Sequence, residues 1–129
     1  MKGSYIIVIF LPTHRKIRIG ALGKILFRLG YYFYTGSAMG KGSSSLEKRI
    51  ARHISLPENK KIHWHIDYLL KDQECLIERI YLIPSQHRLE CVLAREIHEV
   101  SDNSIENFGS SDCLCKSHLL YFKKFRSFL

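Results

Sequence analysis

The chain has 129 residues, 46% hydrophobic and 25% charged, a balance that suits a domain with an apolar core and excludes a disulfide-held miniprotein. Twenty Lys and Arg against twelve Asp and Glu give a formal charge of +8, which favours a polyanionic partner, nucleic acid before membrane, because neutralised phosphates release condensed counterions. Four cysteines, at 75, 91, 113 and 115, are too few for a secreted disulfide framework, so reduced thiols, a cytoplasmic location and one domain over 1–129 are expected.

The opening MKGSYIIVIFLP has one lysine and a short apolar run but no small-residue cleavage site, and it reads as a strand rather than a signal peptide. No run approaches the ~18 apolar residues of a membrane helix. SYIIVIFL (4–11) is β-branched and aromatic throughout and ends at Pro12, the pattern of a central strand covered on both faces. KIRIG (16–20) and KILFRL (24–29) alternate polar and apolar around Gly20 and Gly23, which predicts a hairpin. GYYFYTG (30–36) predicts another strand, with Tyr32 and Tyr34 on one side of the pleat and Tyr31 and Phe33 on the other.

SAMGKGSSS (37–45) is a loop, and Ser44 with Glu47 fits a capping box that opens a helix over about 45–55. Leu46, Ile50 and Ile54 form its apolar stripe, flanked by Arg49 and His53, with Lys48 and Arg52 pointing outward. IHWHIDYLL (62–70) is helix or strand by periodicity alone, and ECLIERIYLIP (74–84) is a strand ended by Pro84. RLECVLAREIHEV (88–100) is the clearest helix, with Leu89, Val92, Leu93, Ile97 and Val100 on one face. A turn-rich loop (101–115) and a last strand within SHLLYFKKF (117–125) complete an α+β pattern of strands with two or three helices between them.

Arg49 and His53 lie one turn apart, where a guanidinium fork grips phosphate oxygens and a neighbouring imidazole moves a proton. A solvated basic helix face explains the same two residues. A tyrosine phenol serves as a general base only if nearby positive charge, from arginine or a metal ion, pulls its pKa down. Glu90 and Glu96 are the acidic candidates: Glu96 falls within the apolar stripe of the second long helix and Glu90 at its edge, and one carboxylate with several waters is an ordinary Mg²⁺ ligand set. His63 and His65 would share a face if their segment were a strand. Cys113, Cys115 and His118, with Cys91 as a fourth, offer zinc ligands, but C-x-C-x-x-H is not a standard finger spacing, so free thiols in a polar loop are the expectation.

Taken in order, GSY (3–5), YTGSA (34–38), EKRIARH (47–53) and a glutamate opening a later helix resemble the GIY-YIG nuclease superfamily. KGSY, GYYFYTGSA, HWHIDYLL, ECVLA and GSSDCLCKSHLLYF, spanning residues 2–122, resemble more closely its Uri-type endonuclease branch, a domain sometimes fused to an endonuclease III-like protein. The resemblance implies a compact α+β domain with an antiparallel core sheet of about three strands plus an extra hairpin, flanked by helices. It implies hydrolysis of nucleic-acid phosphodiesters, DNA favoured, with one Mg²⁺ or Mn²⁺ and a DNA-repair glycosylase as a candidate partner.

By the same resemblance, Tyr5 and Tyr34 are the two motif tyrosines, as general base or as positioners of water. Gly36 is the glycine that lets backbone approach the site. Arg49 and His53 are the helix pair, and Glu90 is the metal-binding glutamate. Lys48, Arg52, Lys123, Lys124 and Arg126 are candidates for tracking the nucleic-acid backbone. The first motif here reads Gly-Ser-Tyr without isoleucine, and 29 residues separate Tyr5 from Tyr34, the extra length being the KIRIGALGKILFRL hairpin. No asparagine motif closes the site, and SSDC (110–113) stands where one would be sought. A non-catalytic nucleic-acid-binding module is the alternative.

Overall fold

The computed structural model describes residues 1–111 and 113–125, so Arg126 lies outside the described residues. Three nine-residue strands set the frame: β1 (Gly3–Leu11), β4 (Gly30–Ala38) and β5 (Leu76–Pro84). β1 lies in the middle and pairs antiparallel with both of the others along almost its whole length. This is the placement that its uninterrupted apolar run demands, since a central strand has both faces covered. Two short strands, β6 (Asn103–Ser104) and β7 (Leu119–Phe122), extend the sheet beyond β4 to the order β5-β1-β4-β7-β6, antiparallel throughout. The fold is thus α+β, with five strands in the main sheet and three α-helices around it.

The predicted hairpin forms a separate two-stranded sheet, β2 (Arg15–Arg18) with β3 (Lys24–Phe27). Gly20 and Gly23 turn it with φ of +47° and +77°, a left-handed backbone that residues with a Cβ rarely adopt. Ile17, Ile19 and Phe27 bury the hairpin's inner face in the main core, and Arg15 pairs with Asp72 at 3.0 Å.

The period-2 pleat assigns the two faces of the sheet. Tyr5, Ile7, Ile9 and Leu11 of β1 share the core with Tyr32 and Tyr34 of β4 and with Leu119 and Tyr121 of β7. Helices α1 (Leu46–His53) and α2 (His65–Leu70) contribute Leu46, Ile66, Leu69 and Leu70 to the same cluster. Tyr31 and Phe33 point the other way, as the alternation predicts, and meet Phe10 and Phe122 at ring-centroid distances of 4.9 and 4.8 Å. On that second face Val8 and Leu120 are buried, and helix α3 (Glu90–Val100) packs on β4 and β7 through Ala94.

Several local expectations change. Ser45, not Ser44, caps α1, its Oγ accepting from Lys48 N at 3.3 Å; Ser44 instead lies in a 3-10 turn over Gly42–Ser44. The helix stops at His53, so Ile54 is exposed and His53 takes the buried place at the end of the stripe. In α3 the inward face is set by Ala94, while Val92, Val100 and Glu96 are exposed. Packing on a sheet favoured the small residue, and Val92 and Val100 were left outside. The ambiguous segment resolves as α2, because Asp67 Oδ2 accepts from the backbone N–H of Trp64 and of His63, both at 2.8 Å, and so nucleates a helix start. His63 and His65 therefore do not share a strand face. Among the described residues no helix is long and apolar enough to cross a membrane.

Candidate active site

β4 is longer than its partner β7. The last bond between them runs from Thr35 N to the carbonyl of His118 at 3.0 Å, and beyond it β4 continues past the end of β7 through Gly36 and Ser37. A cleft of about 150 Å³ opens there. Tyr5, Tyr34, Gly36 and Ser37 from the sheet line it, with Arg49 from α1, Trp64 from the start of α2, and Arg88 and Glu90 from the start of α3; Gly109, Cys113 and His118 close one side. Tyr5, Tyr34, Gly36, Arg49 and Glu90, drawn from four elements, thus meet in one place. His53 stands one layer behind them.

Each position has a local cause. Tyr5 and Gly36 are cross-strand partners, and the Tyr5 ring lies over the glycine: a Cβ at position 36 would sit 2.5 Å from the phenol oxygen. Glycine is required here for the tyrosine ring, in addition to any approach by substrate. The Tyr5 hydroxyl meets His53 Nε2 at 2.8 Å, so α1 is fastened to β1 through a fully buried pair. His53 Nδ1 is buried with no partner among the described residues. Arg49 donates one bond to the Ser37 carbonyl at 3.2 Å and lays its guanidinium over Trp64, 4.4 Å from the ring centroid. Ser4 Oγ, 2.7 Å from Ser37 Oγ, accepts from Leu89 N at 2.9 Å, which ties the start of α3 to the sheet one residue before Glu90. Glu90 is partly open to the cleft, with Arg88 3.5 Å from its carboxylate.

Burial decides the protonation states. It pushes the Tyr5 phenol up to about 12, with the nearby charge of Arg49 opposing, and carries Tyr34 well above its ordinary value. Arg49 alone does not meet the condition set for a phenol base: it pulls the Tyr5 pKa down, and desolvation outweighs it. Burial also lowers His53 to about 4; Asp67 opposes, while Arg49, Lys60 and Arg52 reinforce the shift. His53 is a neutral imidazole near pH 7, engaged with Tyr5, and it does not reach into the cleft.

The other basic candidates sort by what they touch. Arg52 is not a free cation on an outward face. Its NH2 group donates to the fully buried Asp67 at 2.9 Å and to the carbonyl of Lys61 at 3.0 Å, and its guanidinium lies 4.3 Å from the centroid of Trp64. Lys48 is exposed on α1. Lys123 and Lys124 are exposed past the far end of β7, roughly 15 Å of strand from the cleft. Trp64, Arg88 and Ser37 went unassigned in the sequence. Trp64 is the chain's sole tryptophan, and its place within HWHIDY was the signal available.

A second constellation borders the first. The four cysteines are unbridged among the described residues, and those near the cleft are not scattered in a polar loop. One potential ligand atom from each of Cys91, Cys113, Cys115 and His118 lies within 4.8 Å of all the others, a group that could hold a metal ion.

Residues 4–129 match the family model described as "Domain of unknown function DUF123", and the chain belongs to that family. No curated protein and no solved structure matches it.

Proposed function

We propose that the chain is a divalent-metal-dependent endonuclease of the GIY-YIG type, Uri-like branch, which hydrolyses nucleic-acid phosphodiester bonds, DNA in preference. The observation that carries the reading is the convergence of Tyr5, Tyr34, Arg49 and Glu90 on one cleft, with His53 hydrogen-bonded to Tyr5. Phosphodiester hydrolysis asks for a proton acceptor near the attacking water, positive charge at the non-bridging oxygens, and a cation. Tyr5 with His53, Arg49, and an ion held by Glu90 would meet these needs.

The residues suit a hard divalent cation. Glu90 is the carboxylate among the described lining residues, and Mg²⁺ or Mn²⁺ takes one or two carboxylates, several waters and substrate phosphate oxygens. When bound, such an ion supplies charge neutralisation at a phosphate oxygen. Glu90 would hold it, and Arg88 beside it offsets part of the carboxylate's charge. Arg49 has one donor committed to Ser37, and its remaining N–H groups suit two phosphate oxygens. Trp64 and Ser37 fix the plane of that fork.

Tyr5 is best placed to take the proton of the attacking water. Its own hydroxyl proton moves to His53 Nε2 in the same event, in the tautomer with His53 Nδ1 protonated. The water oxygen bonds to phosphorus, and the leaving oxygen departs with the electron pair of the broken P–O bond. Such a shuttle never requires a free phenolate, which is how a phenol held near 12 can work at neutral pH. Asp67 favours the positive charge that forms on His53, against burial and the charges of Arg49, Lys60 and Arg52, so that charge is transient. Tyr34 holds the water.

A second reading is a nucleic-acid-binding module without catalysis, serving a repair partner, and the upward shift of both phenols favours it. Supercoiled plasmid and branched DNA, incubated with the protein and Mg²⁺ or Mn²⁺ with and without EDTA, separate the two. Metal-dependent nicking supports the nuclease; salt-sensitive binding with no nicking supports the module.

A further inference from the structure

From the Cys91, Cys113, Cys115 and His118 cluster we infer a closed tetrahedral zinc site, structural in character, that clamps the wall of the cleft. Tetrahedral zinc with Zn–S near 2.3 Å sets its ligand atoms about 3.6–3.8 Å apart. Cys91 Sγ lies 3.7 Å and Cys113 Sγ 3.4 Å from Nε2 of His118, and Cys115 completes the group inside the 4.8 Å limit. The single lone pair of one imidazole nitrogen faces two sulfurs, with a third alongside. A central cation satisfies that arrangement, whereas mutual hydrogen bonds among thiols leave most of it unpaired. Three soft sulfurs and one imidazole select zinc over Mg²⁺ or Mn²⁺, and four protein ligands leave no open position for water or substrate. This ion is therefore distinct from the hard cation proposed at Glu90.

The ligands come from three places that otherwise share few bonds. Cys91 follows Glu90 in the first turn of α3, Cys113 and Cys115 belong to the loop that carries Gly109, and His118 precedes β7. His118 also anchors the backbone there, donating to the Phe108 carbonyl at 2.8 Å and accepting from Thr35 N. One ion thus fixes the carboxylate's helix, the loop and the end of β7 relative to one another.

The test is elemental analysis of the full chain purified without chelator, followed by replacement of zinc with Co²⁺. One zinc per chain is expected, and the Co²⁺ form should show the intense thiolate-to-metal absorption and visible d–d bands of a tetrahedral sulfur-rich site. Cys91→Ser and Cys113→Ser should each lower zinc affinity by more than the roughly tenfold to hundredfold that loss of an outer partner costs. Cys75→Ser, remote from the cluster, should keep full zinc. Zinc well below stoichiometry in folded wild-type protein would overturn the assignment, as would full zinc retention in both cluster variants. Wild-type occupancy and the Co²⁺ spectrum decide the matter even if a cluster variant fails to fold, and neither depends on nuclease activity.

Discussion

The Tyr5 ring lies across Gly36, its partner on the neighbouring strand, so closely that no side chain fits at position 36. Gly36→Ala should therefore destabilise the fold by about 1–3 kcal/mol, the usual cost of overpacking a core. Replacing the ring as well, in Gly36→Ala/Tyr5→Leu, should recover roughly 1 kcal/mol relative to the sum of the single changes. Urea denaturation of the four proteins measures this coupling, and strictly additive costs would contradict the packing described.

Stability should depend on pH through His53. Its folded pKa, about 4, lies below the ordinary 6.5, so the unfolded chain binds the extra proton between those values. Its contribution is complete above about 6.5 and is lost as the pH falls towards 4, amounting to about 3 kcal/mol across that window. Denaturation midpoints from pH 7 to 4 should fall more steeply for the wild type than for His53→Asn. Parallel profiles would show that His53 is not held neutral by burial.

Arg49 and Arg52 both lie against Trp64, yet opposite consequences follow from losing them. Arg49→Ala should leave the fold close to intact while lowering kcat by roughly 10²–10³, the scale for removing one electrostatic donor from a transition state. Arg49→Lys should restore only part of this, because an ammonium lacks the fork. A loss confined to KM would place Arg49 in uniform substrate binding instead.

Arg52→Ala should be mainly a stability variant. It leaves the Asp67 carboxylate, fully buried and with one oxygen already unpartnered among the described residues, without its cation. A cost of about 3–5 kcal/mol is expected, visible as a lowered Tm, with partial rescue in Arg52→Ala/Asp67→Asn. A Tm unchanged from wild type would mean that the pair contributes nothing to holding α2 on α1.

Much of this was legible in the sequence because it depends on short-range periodicity. The apolar run of β1, the alternation of β4 and the Gly20/Gly23 turn each carried their own signal, whereas the ordered set Tyr5, Tyr34, Arg49 and Glu90 came from the resemblance of its motifs to a nuclease family. What depends on packing between distant segments was hidden. Nothing local in EKRIARH says that His53, rather than Ile54, is buried: the choice is made by the Tyr5 hydroxyl 48 residues away. The Ser4–Ser37–Leu89 tie that places Glu90 involves three separate elements. Cys91, Cys113, Cys115 and His118 could be named as possible ligands, but their non-standard spacing gave no sign that a helix and a loop bring them together. The direction of the tyrosine shifts was also out of reach, since it turns on how deeply the phenols are covered.

The most direct measurement of the nuclease account is DNA cleavage by Glu90→Ala beside the wild type, with DNA binding and thermal stability of both followed in parallel. The account predicts metal-dependent cleavage by the wild type. In the variant it predicts none above background, with binding and Tm little changed, because the Glu90 carboxylate is partly exposed and its ion pair, with Arg88 at 3.5 Å, is a long one. Wild-type turnover retained in Glu90→Ala, or a wild type that binds DNA but cuts none of the structures offered with either cation, would contradict it.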